Sequence, residues 1–363
     1  MDLSFYRKID WVLLIPVFLL VMIGLFTLYA INLNVDQPDL ALFNRQFVFA
    51  VLGFIIMILL LFSNYRLWHG FSVLVYLVSV FLLIAVLWWG STIRGTTGWF
   101  QFFGFSFQPV ELAKIGLILI LARLYNFRPV RISALKSFFY SLFLAVIPIG
   151  LVIAQPDFGS AFILMAIWIG FFALNHLNKK ILFYLVIIGL IILFLLWNYM
   201  LVEYQKERIM TFLNPSSDPL GKGYNLKQSI VAVGSGGIWG KGLGFGSQSQ
   251  LHFLPVTETD FIFATICEYF GFLGSLLVIF LYGTILIRII KIMGKASDNF
   301  SLYLVYGFGL LIFFHMIINI GMNIGLLPVT GLPLPFLSYG GSFLVSCLAG
   351  MGLIASVNRL QVE

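Results

Sequence analysis

Long apolar stretches separated by short polar segments recur along almost the whole chain. A helix that crosses a bilayer needs about 20 mostly apolar residues, because each residue adds about 1.5 Å and the hydrocarbon core is about 30 Å thick. The predicted spans are Trp11–Ile31, Gln46–Phe62, Trp68–Trp89, Phe107–Tyr125, Ser137–Ala154, Phe158–Leu174, Ile181–Val202, Phe261–Ile287, Phe300–Gly321 and Ser342–Val357. The pattern therefore predicts an all-α polytopic membrane protein of about ten transmembrane helices, forming a single integral membrane domain over residues 1–363.

Composition supports a membrane protein and excludes several other classes. The chain is 61% hydrophobic and 10% charged, with a mean hydropathy of +1.04, whereas a soluble domain is about half apolar and about a quarter charged. The net charge is +7, but the basic residues do not form one patch, so no nucleic-acid partner is expected. Cys267 and Cys347 lie in apolar stretches without metal-ligand spacing, which favours a packing role.

The distribution of basic residues predicts the orientation of the chain, because short cytoplasmic loops are enriched in Lys and Arg. With the N-terminus inside, the cytoplasmic residues are Arg7, Lys8, Arg66, Arg123, Arg128, Arg131, Lys136, Lys179, Lys180, Arg288, Lys291, Lys295 and Arg359. Only Arg45 and Arg94 lie in short outer loops. We therefore expect a multi-pass protein of the inner (cytoplasmic) membrane with both termini in the cytoplasm.

One outer segment, residues 203–259 between the seventh and eighth spans, is too long for a simple connection. Its apolar residues predict a large, partly folded extracytoplasmic loop, with a short helix near Leu226–Val233 lying over the outer membrane face. The segment is rich in glycine, but Lys241 is followed by Gly242 instead of the Ser or Thr of a phosphate-binding loop. We therefore interpret the glycines as tight turns at the lipid–water boundary.

Five acidic residues lie within spans or at their outer ends, where a charge is costly and is by default a functional hypothesis. They are Glu111, Asp157, Glu258, Asp260 and Glu268. Some have structural explanations that remain open. Glu111 and Lys114 stand at i and i+3 and could form an internal ion pair, while Asp157 could cap the helix that follows it. Glu268 and His315 could simply make hydrogen bonds within the bundle.

Asp260 could likewise cap the eighth span. Capping does not explain, however, why Glu111, Lys114, Asp157 and Asp260 all stand at a similar depth below a long outer loop. This convergence of carboxylates and a cation predicts a site for a phosphate-bearing, lipid-anchored substrate.

The segments that carry these charges resemble those of the SEDS family (shape, elongation, division and sporulation). They are "QPVELAK" (108–114), "QPDFGSA" (155–161), "RIMTFLNPSSDPLGKGYNLKQSIVAVGSGGIWGKG" (208–242), "FLPVTETDFIFA" (253–264) and "LPVTGLPLPFLSYGGS" (327–342). Within the family, the likeness is greater to the RodA branch than to the FtsW branch. The resemblance implies a peptidoglycan glycosyltransferase that polymerises lipid II into glycan strands at the outer membrane face, for cell elongation and rod shape, together with a class B penicillin-binding protein.

The resemblance also implies roles for individual residues. Asp260 matches the essential aspartate of the family and is the expected catalytic residue, and a base for the acceptor hydroxyl is what the reaction needs. The residues expected to bind substrate are Arg45, Glu111, Lys114 and Asp157. Val256 and Val110 depart from the family pattern, which usually has Glu at the first position and often Ser or Asp at the second. No tightly bound cofactor is expected, although a divalent cation, Mg²⁺ or Mn²⁺, could stabilise the leaving diphosphate.

Two other functions compete with a polymerase for elongation. One is a flippase that carries lipid II across the bilayer, and the other is an FtsW-like polymerase for division. A transporter predicts polar residues through the depth of the spans or an inverted repeat. The charges cluster at the outer ends of the spans instead, which favours an enzyme.

Overall fold

The computed structural model describes residues 9–31, 40–93, 95–102, 105–126, 134–175, 210–212, 222–251 and 253–361. The first helices and the sheet are α1 (Trp11–Ile31), α2 (Ala41–Phe62), α3 (Tyr65–Trp89), β1 (Ser91–Ile93), β2 (Thr96–Phe102) and β3 (Phe105–Phe107). They are followed by α4 (Pro109–Asn126), α5 (Ala134–Ala154), α6 (Phe158–Asn175), α7 (Lys222–Ser235), α8 (Ser247–Gln250), α9 (Ile262–Met293), α10 (Asn299–Asn323) and α11 (Gly341–Gln361).

The helices confirm a polytopic helical membrane protein. Among the described residues, eight helices are long and apolar enough to cross a membrane, and α4 corresponds to a further predicted span. Nine of the ten predicted spans thus coincide with helices of the described part, while the seventh, Ile181–Val202, lies outside it. The predicted short helix near Leu226–Val233 is also confirmed, as α7.

A three-stranded antiparallel sheet, β1–β2–β3, lies between α3 and α4 and was not predicted. Ser91 pairs with Trp99, and Phe100 pairs with Phe107. The prediction that the fourth span begins at Phe107 is therefore wrong by two residues, since Phe107 ends β3 and α4 begins at Pro109. Proline suits a first helical position because the N–H that it lacks would have no partner within the helix there.

Helix α4 lies in the interior of the bundle, where it packs against α3, α5, α6, α10 and α11. Most of its residues are buried, including Glu111 and Lys114. Charged side chains in a membrane helix face the protein interior because lipid offers them no partner. The position of α4 therefore matches its composition, and it carries the first candidate site residues into the core.

Helix α9 is broken at Gly271, whose φ of 65° and ψ of −159° are not helical. The backbone N–H groups of Phe272 and Leu273 donate to the carbonyls of Gly237 and Ile238 at 2.8 and 3.2 Å. In return, the N–H groups of Lys241 and Gly242 donate to the carbonyls of Glu268 and Tyr269 at 2.9 and 3.0 Å. The glycine-rich loop thus satisfies backbone groups that the break in the helix leaves without an intrahelical partner.

The formation of turns is only part of the role of these glycines. Gly237 and Gly240 do have positive φ values, but a Cβ on Gly240 would also lie 2.1 Å from the carbonyl oxygen of Tyr269. The absence of a side chain therefore permits the two backbones to touch.

Glu268 fixes the same loop through its side chain. Its carboxylate is fully buried, forms an ion pair with Lys241 at 3.1 Å and accepts hydrogen bonds from the backbone N–H groups of Gln248 and Ser249. The hydroxyl of Ser249 donates a further bond at 2.9 Å. Glu268 therefore has a structural role, as expected, but it bonds to the glycine-rich loop after α7 and to the short helix α8.

The break in α9 generates a stability prediction with a matched control in the same helix. We expect Gly271→Ala to lower the melting temperature of the detergent-solubilised protein strongly, because a Cβ there would lie 2.3 Å from the backbone nitrogen of Gly240 and the φ is left-handed. Gly283→Ala is the control, since its Cβ would meet no atom within 4 Å. It should leave stability unchanged or raise it, because Ala is the better helix former. Equal melting temperatures for the two variants would contradict this account of the break.

Candidate functional site

A chain of polar side chains connects α4 to α10 in the interior of the bundle. The Lys114 ammonium donates to Oε1 of Glu111 at 2.9 Å and to Nε2 of His315 at 3.2 Å. The exposed fractions are only 3% for Glu111, 1% for Lys114 and 0% for His315. Glu111 and Lys114 therefore do form the predicted internal ion pair, and a helical i, i+3 spacing brings them together.

His315 has one defined tautomer in this chain of bonds. Its Nδ1 lies 3.0 Å from the carbonyl oxygen of Pro333, which can only accept, so Nδ1 carries the hydrogen. The Lys114 ammonium can only donate, so Nε2 of His315 accepts. The imidazole is therefore neutral, and the expectation that His315 makes hydrogen bonds within the bundle is confirmed.

An aromatic ring completes the surroundings of Lys114. Its ammonium lies 5.4 Å from the centroid of the Phe343 ring, within the range of a cation–π attraction. Ser346, also on α11, lies 3.4 Å from Oε2 of Glu111. Helices α4, α10 and α11 thus all contribute contacts to this buried pair.

Asp260 lies at the start of α9 and is half-buried. Its Oδ2 lies 3.6 Å from the position that a Cβ on Gly331 would occupy, and Thr259 donates to its Oδ1 at 3.0 Å. Gly331 itself is exposed. The carboxylate therefore stands beside an exposed part of the segment between α10 and α11.

The alternative explanation of Asp260 as a helix cap is wrong. The N-cap residue of α9 is Phe261, which supplies no side-chain cap. The amide oxygen of Asn323 provides the cap instead, by accepting from the N–H of Ala264 at 3.0 Å. Asn323 and Asn319 also donate to the carbonyl oxygen of Asp260, at 2.9 and 3.1 Å.

Asp157 caps the helix that follows it, which is one of the two explanations that the sequence left open. Its Oδ1 accepts from the N–H of Ser160 at 3.0 Å, which caps α6, while the side chain of Gln108 lies 3.4 Å from Oδ2. Two residues further on, a Cβ on Gly159 would lie 3.2 Å from the carbonyl oxygen of Thr330. The half-buried Asp157 is thus held near the loop that also contacts Asp260.

Arg45 is exposed on the first turns of α2. Its neighbour Gln46 is buried and is bonded to the segment before α11: its Nε2 donates to the carbonyl of Ser338 at 3.2 Å, and its Oε1 accepts from the N–H of Gly340 at 3.1 Å. The start of α2 is therefore fixed against the segment that contacts the other candidate residues, and Arg45 is the accessible cation of the set.

Residues 324–340, between α10 and α11, connect these candidates. Pro333 binds His315, which in turn binds Lys114 of the buried pair, and Gly331 lies beside Asp260. Asn319 and Asn323 were not singled out in the sequence. The available signal was the spacing of His315, Asn319 and Asn323 at i, i+4 and i+8 in an otherwise apolar span, which places them on one face of α10.

The described residues contain no group of three or more His, Cys, Asp or Glu side chains that could hold a metal ion. A divalent ion held by protein ligands alone therefore does not fit the described part of the chain.

Comparison with known proteins gives a consistent result over the full length. A family model described as "Cell cycle protein", for the FtsW, RodA and SpoVE proteins, matches residues 10–362. Peptidoglycan glycosyltransferase MrdB of Escherichia coli K12 is 36% identical over 96% of this chain and 94% of its own. Stage V sporulation protein E of Bacillus subtilis is 35% identical over 96% of this chain and 97% of its own.

Two solved structures have the same fold. A chain from a peptidoglycan synthase complex, studied for its coordination of polymerization and crosslinking, gives a TM-score of 0.81 with 32% identity and covers 98% of this chain and 99% of its own. The rod shape determining protein RodA of Thermus thermophilus gives a TM-score of 0.73 with 29% identity and covers 98% of both chains.

The buried pair generates a prediction about stability. Glu111→Gln alone should lower the melting temperature more than Glu111→Gln combined with Lys114→Met, because the single change leaves the ammonium buried without its counter-charge. Breaking a buried pair in this way costs about 3–5 kcal/mol, whereas replacing both partners is often close to neutral. Thermal unfolding of both variants in the same detergent is the measurement. A double variant less stable than the single one would show that the pair itself stabilises the bundle.

Proposed function

Because the chain belongs to the SEDS family, whose curated relatives are peptidoglycan glycosyltransferases, we propose that it polymerises lipid II with Asp260 as the general base. It is a peptidoglycan glycosyltransferase of the RodA type, as its relatives and its structural neighbours indicate. The observation that carries the proposal is the half-buried carboxylate of Asp260, which stands beside the exposed Gly331. The flippase alternative receives no support from relatives that are named as transferases.

Glycosyl transfer sets clear demands on the site. The oxygen of the acceptor 4-hydroxyl forms a bond to the anomeric carbon of the donor sugar, and the bond from that carbon to the diphosphate breaks, leaving its electron pair on the diphosphate. The hydroxyl proton must pass to a base within hydrogen-bond reach. The carboxylate of Asp260 takes this proton, and Asp157 is the carboxylate that we assign to the positive charge that develops on the donor sugar.

The two cations have different positions and therefore different tasks. Arg45 is exposed and is the cation that we assign to the leaving diphosphate, whose negative charge grows in the transition state. Lys114 is 1% exposed and already bonded to Glu111 and His315. Because it is buried, we assign Lys114 an indirect role, through its field and through the position of α4.

We further propose that the site faces the outer side of the cytoplasmic membrane and that the enzyme acts with a class B penicillin-binding protein. The first part rests on the excess of basic residues in the predicted cytoplasmic loops. The second rests on the similarity to a chain of a peptidoglycan synthase complex. A likeness to a rod shape determining protein supports a role in elongation.

The test of the base is Asp260→Asn. We expect a folded but inactive protein, with a rate at least about a hundredfold lower, because an amide does not accept the proton at neutral pH. Folding should survive, since α10 binds the backbone carbonyl of Asp260, which the substitution keeps, and Asn323 supplies the cap. The measurement is a time course of glycan strand formation from lipid II in liposomes, with and without Mg²⁺ or Mn²⁺.

Glu258→Gln is the matched control, because it makes the same carboxylate-to-amide change two residues earlier in the same loop. It should retain most of the activity at equal protein level and melting temperature. Glycan strands formed at a near-normal rate by Asp260→Asn would remove Asp260 as the base.

The proposed orientation is tested by labelling with a membrane-impermeant thiol reagent. A cysteine at Thr92, exposed in β1, should react in intact spheroplasts, whereas a cysteine at Lys295, exposed between α9 and α10, should react only after lysis. The unsubstituted chain is the control, because Cys267 and Cys347 are both buried. The reverse pattern of labelling would place the site on the cytoplasmic side.

A further inference from the structure

Three consecutive carbonyl groups around Asp260 are each bound by a group from a distant part of the chain. The N–H of Tyr339 donates to the carbonyl of Glu258 at 2.8 Å, and the hydroxyl of Ser338 donates to that of Thr259 at 2.7 Å. The third carbonyl, that of Asp260 itself, receives the two amide hydrogen bonds from α10. The backbone on which the carboxylate stands is therefore held at every peptide unit.

The groups that make these bonds are themselves fixed. Asn319 and Asn323 are both fully buried, and Asn319 also donates to the carbonyl of Leu332 at 2.8 Å. Ser338 is 1% exposed, and its hydroxyl accepts from the N–H of Leu334 at 2.8 Å while it donates to Thr259. A buried side chain with all of its polar groups bonded has little freedom to move.

The hydrogen bonds also divide the structural and chemical tasks between residues. Asn323 uses its amide oxygen to cap α9 and its amide nitrogen to hold the carbonyl of Asp260. Helix α9 is thus capped by Asn323 and not by the carboxylate of Asp260. This division explains why an aspartate at the start of a helix does not serve as its cap.

We propose that Asn319, Asn323 and Ser338 are positioning residues for the reaction, which hold the backbone of Asp260 so that its carboxylate meets the acceptor hydroxyl. This inference rests on the proposed role of Asp260 as the base. A general base works only within hydrogen-bond reach of its proton, and a displacement of about 1 Å can cost about a hundredfold in rate. None of the three side chains needs to touch the substrate to have this effect.

The test compares two variants, each of which removes one hydrogen bond to the backbone around Asp260. Ser338→Ala removes the donor to Thr259, and Asn319→Leu removes one of the two donors to Asp260. For both we expect kcat for lipid II polymerisation to fall by about tenfold or more, with KM within about twofold of the original, because an interaction that matters only in the transition state lowers kcat and kcat/KM equally. Ser338→Thr should restore kcat, since it returns the hydroxyl.

Asn175→Leu is the control for a general loss of packing. Asn175 also bridges two helices, by donating to the carbonyl of Phe171 and accepting from Tyr303, but it lies at the opposite end of the bundle. It should leave kcat unchanged. The inference is overturned if Ser338→Ala and Asn319→Leu keep their kcat, if only KM changes, if Ser338→Thr fails to restore kcat, or if Asn175→Leu causes the same loss.

The same assays separate this inference from the proposed function. An inactive Asp260→Asn variant together with fully active Ser338→Ala and Asn319→Leu variants would leave the base in place and refute the positioning role. An active Asp260→Asn variant would refute the base, and the positioning role with it.

Discussion

The rest of the structure depends on one requirement: the backbone N–H and C=O groups of residues 324–340 need hydrogen-bond partners. These residues form a non-helical segment packed between membrane-spanning helices. Such backbone is tolerated at this depth only where other parts of the protein bond its polar groups. Side chains bond four carbonyl groups of this segment: Asn319 bonds that of Leu332, His315 that of Pro333, Tyr282 that of Pro335 and Gln46 that of Ser338. The hydroxyl of Ser338 accepts from the N–H of Leu334. Polar side chains from α2, α9 and α10 are thereby drawn to one place, and the candidate site is built on the same contacts.

Much of the helical architecture follows from the length of the apolar stretches, because a bilayer sets a minimum span that sequence alone reveals. The break at Gly271 does not follow in this way. It lies within a continuous apolar stretch that reads as one helix, while the backbone N–H groups that follow it donate to Gly237 and Ile238, more than thirty positions earlier in the chain. The sheet β1–β3 also escaped prediction, since its strands are only three to seven residues long and lie directly beside spans.

The same distinction between local and distant partners applies to the site. The pair of Glu111 and Lys114 was predictable, because the i, i+3 spacing on a helix fixes their separation. The cap formed by Asp157 was predictable too, since it bonds three residues ahead in the chain. For Asp260, the local rule predicted a helix cap and was wrong, because Asn323, 59 positions after Ala264, accepts the hydrogen bond that caps the helix. A sequence pattern indicates that a residue is able to cap a helix, but it does not indicate whether a distant residue caps that helix instead.

The first part of α9 links the glycine-rich loop between α7 and α9 to the position of Asp260. Residues 262–269 are all buried, and both ends of this short helix are fixed by side chains from elsewhere. Asn323 holds the end next to Asp260, while Glu268 bonds the other end to Lys241 and Ser249 of the loop. Because Asp260 stands two residues before this helix, a shift of the helix along or about its axis would move its carboxylate. The fully buried Glu268 and the glycines that let the loop approach the break therefore limit the motion of the site, although they lie away from it along the chain.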